Sequence, residues 1–70
     1  MNSVSLSGIV CSVPTSHDFI VYSDYEYIHC VCQTAPELNA HISLKGKLRS
    51  HTKQYQGKNV VMHFVEIAEA

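Results

Sequence analysis

Lys45, Lys47, Arg49, Lys53 and Lys58 are all the lysines and arginines of this 70-residue chain, and they fall within fourteen consecutive positions. The other 56 positions hold all six carboxylates: Asp18, Asp24, Glu26, Glu37, Glu66 and Glu69. A basic run of this kind can neutralise phosphates, and Tyr55 lies inside it. Single-stranded nucleic acid is gripped by this pairing of residue types, with cations following the backbone and aromatic faces stacking on bases. Three further tyrosines, Tyr22, Tyr25 and Tyr27, stand close together earlier in the chain, with His29 and His51 as supporting rings. The candidate nucleic-acid-binding set is therefore Lys45, Lys47, Arg49, Lys53, Lys58, Tyr55, Tyr22, Tyr25, Tyr27 and His51. Asp24 and Glu26 flank the tyrosines and would repel a phosphate, so that aromatic row also suits a protein partner.

Other chemistries find less support. Nucleophilic catalysis needs a base within hydrogen-bond reach of a Ser or Cys, and no Ser, Cys or His lies in a recognisable nucleophile turn. There is no phosphate-cradling glycine loop, and the acids are scattered. The five histidines (His17, His29, His41, His51, His63) show no metal-ligand spacing on one element. Cys11, Cys30 and Cys32 are an odd number, which does not suit a disulfide framework. Cys30 and Cys32 would share one strand face and behave as small core hydrophobes. The expectation is a protein that is not an enzyme, with no catalytic residues, no metal and no cofactor.

Seventy residues make one domain, residues 1–70, near the lower size limit for independent folding. A 46% hydrophobic content is that of a globular chain, and association is a common way for so small a core to gain stability. No run reaches the ~18 apolar residues of a membrane span, and the N-terminus does not read as a signal peptide. The cytoplasm is the expected location.

The elements that must position these side chains alternate with period two, which argues strands. Five are expected: Val4–Ser12, with Gly8 at a bulge or sharp bend; Phe19–Ser23; Tyr25–Gln33, entered by a tight turn at Ser23-Asp24; His41–His51, with a central Gly46; and Val60–Ala68. "VPTSHD" is a turn cluster, "TAPELNA" holds about one turn of helix near Pro36, and "TKQYQGKN" is a polar hairpin loop. In the third strand Ile28, Cys30 and Cys32 form an inner row, and Tyr25, Tyr27, His29 and Val31 an outer one. In the fourth, Ile42, Leu44 and Leu48 point in while Lys45, Lys47 and Arg49 point out. The fifth is ambiguous, since Val61, Val65 and Ile67 alternate with Val60, Met62 and Phe64 and both sets are apolar. The expected fold is all-β: a five-stranded Greek-key OB-fold barrel with a short or absent helix between strands three and four. An SH3-like barrel, or a three-stranded sheet with a hairpin, has the same strand count.

Two segments carry a resemblance. "VSLSGIVCSVP" (4–14) looks like the opening strand of the family of primosomal replication protein N and single-stranded DNA-binding protein. "ISLKGKLRSHTKQYQGKNVVMH" (42–63) is similar to that family's glycine-centred strand, basic loop and final strand. Together they span 33 of the 70 residues. The resemblance implies an OB-fold, a homodimer or higher oligomer, single-stranded DNA as ligand, and replication-restart helicase or loader proteins as partners. It carries onto Lys53 and Lys58, with Lys45, Lys47 and Arg49 beside them. The middle of the chain departs: it is shorter, has no tryptophan, and carries no basic residue on strands two and three. RNA remains open as a ligand, because stacking sites tolerate either sugar. The alternative reading is an OB-fold protein–protein interaction module with weak or no nucleic-acid binding.

Overall fold

A computed structural model describes residues 2–68. It is all-β: 73% strand and no helix, in one five-stranded sheet that closes in a ring. The strands are β1 (Val4–Thr15), β2 (Asp18–Ser23), β3 (Glu26–Val31), β4 (His41–Tyr55) and β5 (Lys58–Ile67). Their order around the ring is β1-β2-β3-β5-β4. All neighbours are antiparallel except β3 and β5, which meet in parallel at Cys30–Val65 and Val31–Glu66.

The core is small. Leu6, Val10, Phe19, Val21, Cys30 and Val65 are buried, and Val4, Ile28, Ile42, Leu44 and Ile67 pack partly against them. Inner residues come from one phase of the alternation in each strand, as a period-two pattern requires, except that the register shift after Val10 brings Val13 of β1 against the core as well. The fifth-strand ambiguity is thereby resolved: Val65 and Ile67 point in, while Val60, Met62 and Phe64 take the outer phase.

β1 is long enough to serve two neighbours. Its first half pairs with β4, from Val4–Gly46 to Ile9–His41, and its second half with β2, beginning at Ile9–Tyr22. Gly8 lies just before this change of partner. A Cβ there would stand 2.4 Å from the Tyr22 carbonyl oxygen, so only glycine permits the approach. Gly46 plays the same part where β4 passes between β1 and β5, its virtual Cβ 2.4 Å from the Glu66 carbonyl oxygen. The register runs unbroken through Gly8. The irregularities expected there fall later in β1, between Val10 and Ser12 and between Ser12 and Thr15.

Several boundaries differ from the sequence reading. The first turn shrinks to Ser16-His17, because β1 runs on to Thr15 and pairs it with Asp18. Tyr25 is a turn residue rather than the start of β3. Asp24 and Tyr25 take φ of 49° and 67°, both left-handed, and make the two-residue turn whose twist matches a right-handed hairpin. β3 ends at Val31 because the Cys32 amide is drawn to the His17 carbonyl. The helical turn near Pro36 is absent. A residue before proline is pushed toward extended backbone, the Ala35 amide donates to the Ser16 carbonyl, and the Asn39 amide donates to the Val10 carbonyl. The connection is thus pinned to the first turn and to β1.

The largest correction concerns "TKQYQGKN". It is a ladder rather than a loop. β4 and β5 pair continuously from Gly46–Ile67 to Tyr55–Lys58, and the turn contains only Gln56 (φ 49°) and Gly57 (φ 77°). The last contacts with a third strand fall at Gly46 and Val65. Seven pairs, Arg49–Phe64 to Tyr55–Lys58, therefore project as a two-stranded arm, roughly 23 Å long at ~3.3 Å per residue.

Candidate nucleic-acid interface

The arm explains the clustered charge. Lys45, Lys47, Arg49 and Lys53 occupy alternate positions of β4, and Lys58 stands opposite Tyr55 in the same ladder. No register break intervenes from residue 46 to 55, so all five cations share one face, together with His51 and Tyr55. Clustering in sequence becomes one charged surface only because residues 52–59, expected as a loop, are extended strand apart from the Gln56-Gly57 turn.

That face continues onto the ring. On β5 the residues opposite Arg49, His51 and Lys53 are Phe64, Met62 and Val60. Beyond β5, the outer phase of β3 holds Tyr27, His29 and Val31, which pair with Tyr22, Ile20 and Asp18 of β2. Tyr22 and Tyr27 lie directly opposite each other, with ring centroids 5.1 Å apart and planes tilted by 53°. His29 bridges the β3–β5 seam, its ring 6.1 Å from that of Phe64. A band of rings thus runs from Tyr22 through Tyr27 and His29 to Phe64, then meets Arg49 at the base of the arm. Tyr27 is 72% and Tyr55 63% exposed, enough for a planar group to lie on either ring.

The band is held by specific contacts. His29 Nε2 lies 2.9 Å from Asp18 Oδ1, and the Thr15 hydroxyl donates to Asp18 Oδ2 at 2.7 Å. These two hydrogen bonds, the one from Thr15 first, hold the Asp18 carboxyl below its ordinary range. His17 Nδ1 sits 2.8 Å from the Gln33 carbonyl oxygen, tying the first turn to the segment after β3. At the base of the arm, the Asn2 side chain bonds both the amide and the carbonyl of Leu48, continuing the β1 edge for one more rung.

Charge along the arm is uneven. Glu66 lies opposite Lys47, and its Oε1 is 3.4 Å from Arg49 Nη2. The base of the arm is therefore partly neutralised. Among the described residues no ion pair reaches Lys53 or Lys58, so uncompensated positive charge is concentrated at the distal end, around Tyr55. Asp24 and Tyr25 occupy the tip of the β2–β3 turn, Tyr25 90% exposed and outside the strand row. Glu26 shares the inner phase of Ile28 and Cys30, on the opposite side of the sheet from the cations.

Ten site residues were expected from sequence. Nine fall on this outer surface: the five cations, Tyr55, His51, Tyr22 and Tyr27. Tyr25 is displaced to the turn. Phe64, Met62 and Val60 belong to the surface and were not singled out. The signal that finds them is the cross-strand partner of each β4 cation, which is readable once Gln56-Gly57 is taken as a two-residue turn. Among the described residues no group of His, Cys, Asp and Glu is arranged to hold a metal ion, and no helix is long and apolar enough to cross a membrane. No protein-family model matches the chain, and no curated protein matches it.

Proposed function

We propose that this chain is a non-enzymatic OB-fold protein that binds single-stranded DNA on the outer face of β2, β3, β5 and the β4–β5 arm. The observation that carries the reading is the continuity of the five cations with the Tyr22–Tyr27–His29–Phe64 band on one face. OB-folds bind oligonucleotides on the β2–β3 face and on the loops after β1 and β4. The ring order, the long β1 shared by β2 and β4, and the parallel β3–β5 contact all suit that fold. The likeness of residues 4–14 and 42–63 to primosomal replication protein N and its single-stranded DNA-binding relatives supports an oligomer acting in replication or replication restart, with helicase or loader proteins as partners in the cytoplasm.

Phosphates would lie along Lys53, Lys58 and Arg49 while bases stack on Tyr55, Phe64, Tyr27 and Tyr22. With about three phosphates neutralised per subunit, the log–log salt slope is near −2 at ~0.7 per phosphate. Fluorescence anisotropy with labelled oligo-dT should give that slope. Lys53→Glu with Lys58→Glu should abolish binding while leaving the circular dichroism spectrum unchanged, and unaltered affinity in the double variant refutes the assignment. A parallel titration with oligo-rU separates DNA from RNA.

A protein-interaction module is the second reading. It is favoured by the apolar side chains exposed on the arm, where Val60, Val61 and Met62 are 43%, 55% and 49% accessible. Absence of oligonucleotide binding even at low salt would select it.

A further inference from the structure

The proximal half of β4 carries two cations that a DNA path along Lys53, Lys58 and Arg49 leaves unused. Lys45 and Lys47 stand on the outer phase below Arg49, where β4 enters its pairing with β1. Between them a depression of about 360 Å³ opens over Gly46, bounded by Asn2 and Ser3 at the β1 edge and by Ala68 after β5. Beside it the outer row of β1 bears hydroxyls. Ser5 lies opposite Lys45, and Ser7 lies opposite Ser43 with their hydroxyl oxygens 3.2 Å apart. Neither β1 nor β4 holds a carboxylate. Glu66 of β5 stands opposite Lys47, but it is shared with Arg49. This side of the ring has no tyrosine or phenylalanine, and Ile9 and His41 close its far end.

We propose that this lysine–serine face takes the sugar–phosphate backbone of a DNA duplex, so that the preferred ligand is a single strand joined to a duplex. The inference names the ligand class of the site assigned above and rests on that reading. A single strand offers its bases to any ring it meets, and the Tyr22–Tyr27–His29–Phe64 band suits it. A duplex keeps its bases stacked inside and turns phosphates and sugars outward. Lysine and serine side chains hydrogen-bond those groups without reading sequence, and the β1–β4 side supplies both with no ring for a base to stack on. The cation row of β4 borders both surfaces. It changes flank at Gly46, which pairs with Val4 of β1 and with Ile67 of β5. A nucleic acid following the row therefore passes from rings to hydroxyls without leaving positive charge. Lys45 and Lys47, about 7 Å apart along the strand, can meet two phosphates of one backbone. The six pairs from Val4–Gly46 to Ile9–His41 make the face roughly 20 Å long at ~3.3 Å per residue, enough for several base pairs at ~3.4 Å each.

Fluorescence anisotropy of the full chain tests this with labelled short oligo-dT, the same oligo-dT joined to a duplex at its 5′ or 3′ end, oligo-dT of the same total length, and the blunt duplex. The tailed duplex, in the tighter of its two polarities, should bind roughly tenfold more tightly at low salt than any of the others. Two further phosphates at ~0.9 each should take the log–log salt slope from about −2 to about −4 per subunit. Ser5→Asp with Ser7→Asp places negative charge beside Lys45 and should remove both gains, with short oligo-dT affinity unchanged. If that variant loses its circular dichroism spectrum, Ser43→Glu replaces it with the same expected loss. Short oligo-dT bound as tightly as the tailed duplex, a long single strand that gains as much, or a gain that survives the substituted serines would overturn the duplex assignment and leave the single-strand reading standing. Blunt duplex bound as tightly as the tailed one would overturn the junction. Absence of oligo-dT binding at low salt rejects the single-strand reading itself, and the junction with it.

Discussion

Gly46→Ala should destabilise the protein more than any other single-methyl addition in the arm or its base. The added Cβ would stand 2.4 Å from the Glu66 carbonyl oxygen, 2.8 Å from Val65 Cγ1 and 3.1 Å from the Glu66 carbonyl carbon. Ordinary contact begins near 3.4 Å, so about 1 Å of separation must be found. Two of the three obstacles are backbone atoms of β5, and Gly46 pairs with both Val4 and Ile67. Moving β5 away therefore strains the ladder that roots the arm, and also the β3 contact at Cys30–Val65. Overpacking of this kind costs about 1–3 kcal/mol, and at ~4–8 °C per kcal/mol for a domain this size Tm should fall by roughly 4–24 °C. The comparison is Gly57→Ala, where nothing lies within 4 Å and the penalty is only the left-handed φ of 77°. That costs about 1–2 kcal/mol, and asparagine at the same position should recover part of it. Thermal unfolding followed by circular dichroism reads both. A Gly46→Ala protein as stable as wild type would show that β4 and β5 do not approach as described, and with them the basis for a rigid arm.

Other consequences are narrower. Phe64→Ala removes the ring that joins the tyrosines to the arm, and loss of one stack at ~1–3 kcal/mol predicts roughly 5- to 150-fold weaker oligo-dT binding without change in the salt slope. Asp18 is held below its ordinary range, so its contribution to stability is present above that range and lost as pH falls through the lowered value. Asp18→Asn should therefore lower stability at neutral pH and make it less steeply dependent on pH below about 4. Burial, with a smaller effect of Cys32, pushes the Cys30 thiol up to about 11 from 9.0. The folded state then favours the neutral thiol, and this contribution fades as pH rises from about 9 to about 11. At pH 8 iodoacetamide should modify exposed Cys11 quickly and buried Cys30 only on unfolding. Equal rates would place Cys30 outside the core.

Strand number, strand phase and most of the inward row were legible in the chain, because a residue's side of a strand follows its parity wherever the register is unbroken. Leu48, expected to point into the core, is instead 48% exposed because it lies where β4 leaves the ring for the arm. Ile28 with Cys30, and Lys45 with Lys47 and Arg49, fall where alternation puts them. Both sets of β5 are apolar, so parity could not choose between them. That choice follows from which set meets Cys30 across the parallel contact. The polarity of "TKQYQGKN" resembles a loop, since cross-strand partners that are far apart in sequence leave no local mark. Tyr25 moved to a turn because a two-residue hairpin needs left-handed backbone at both central positions, and the Ser23–Glu26 register fixes which two they are.

Composition and spacing alone determined that the chain forms β-structure with a small core and that its positive charge is gathered in one segment. Only closure of the ring decided where that segment's side chains point. The β4–β5 register set five cations on one face, and the β3–β5 seam set Phe64 and His29 beside them. Sequence encodes alternation locally, while juxtaposition is a property of register between strands that meet only after folding.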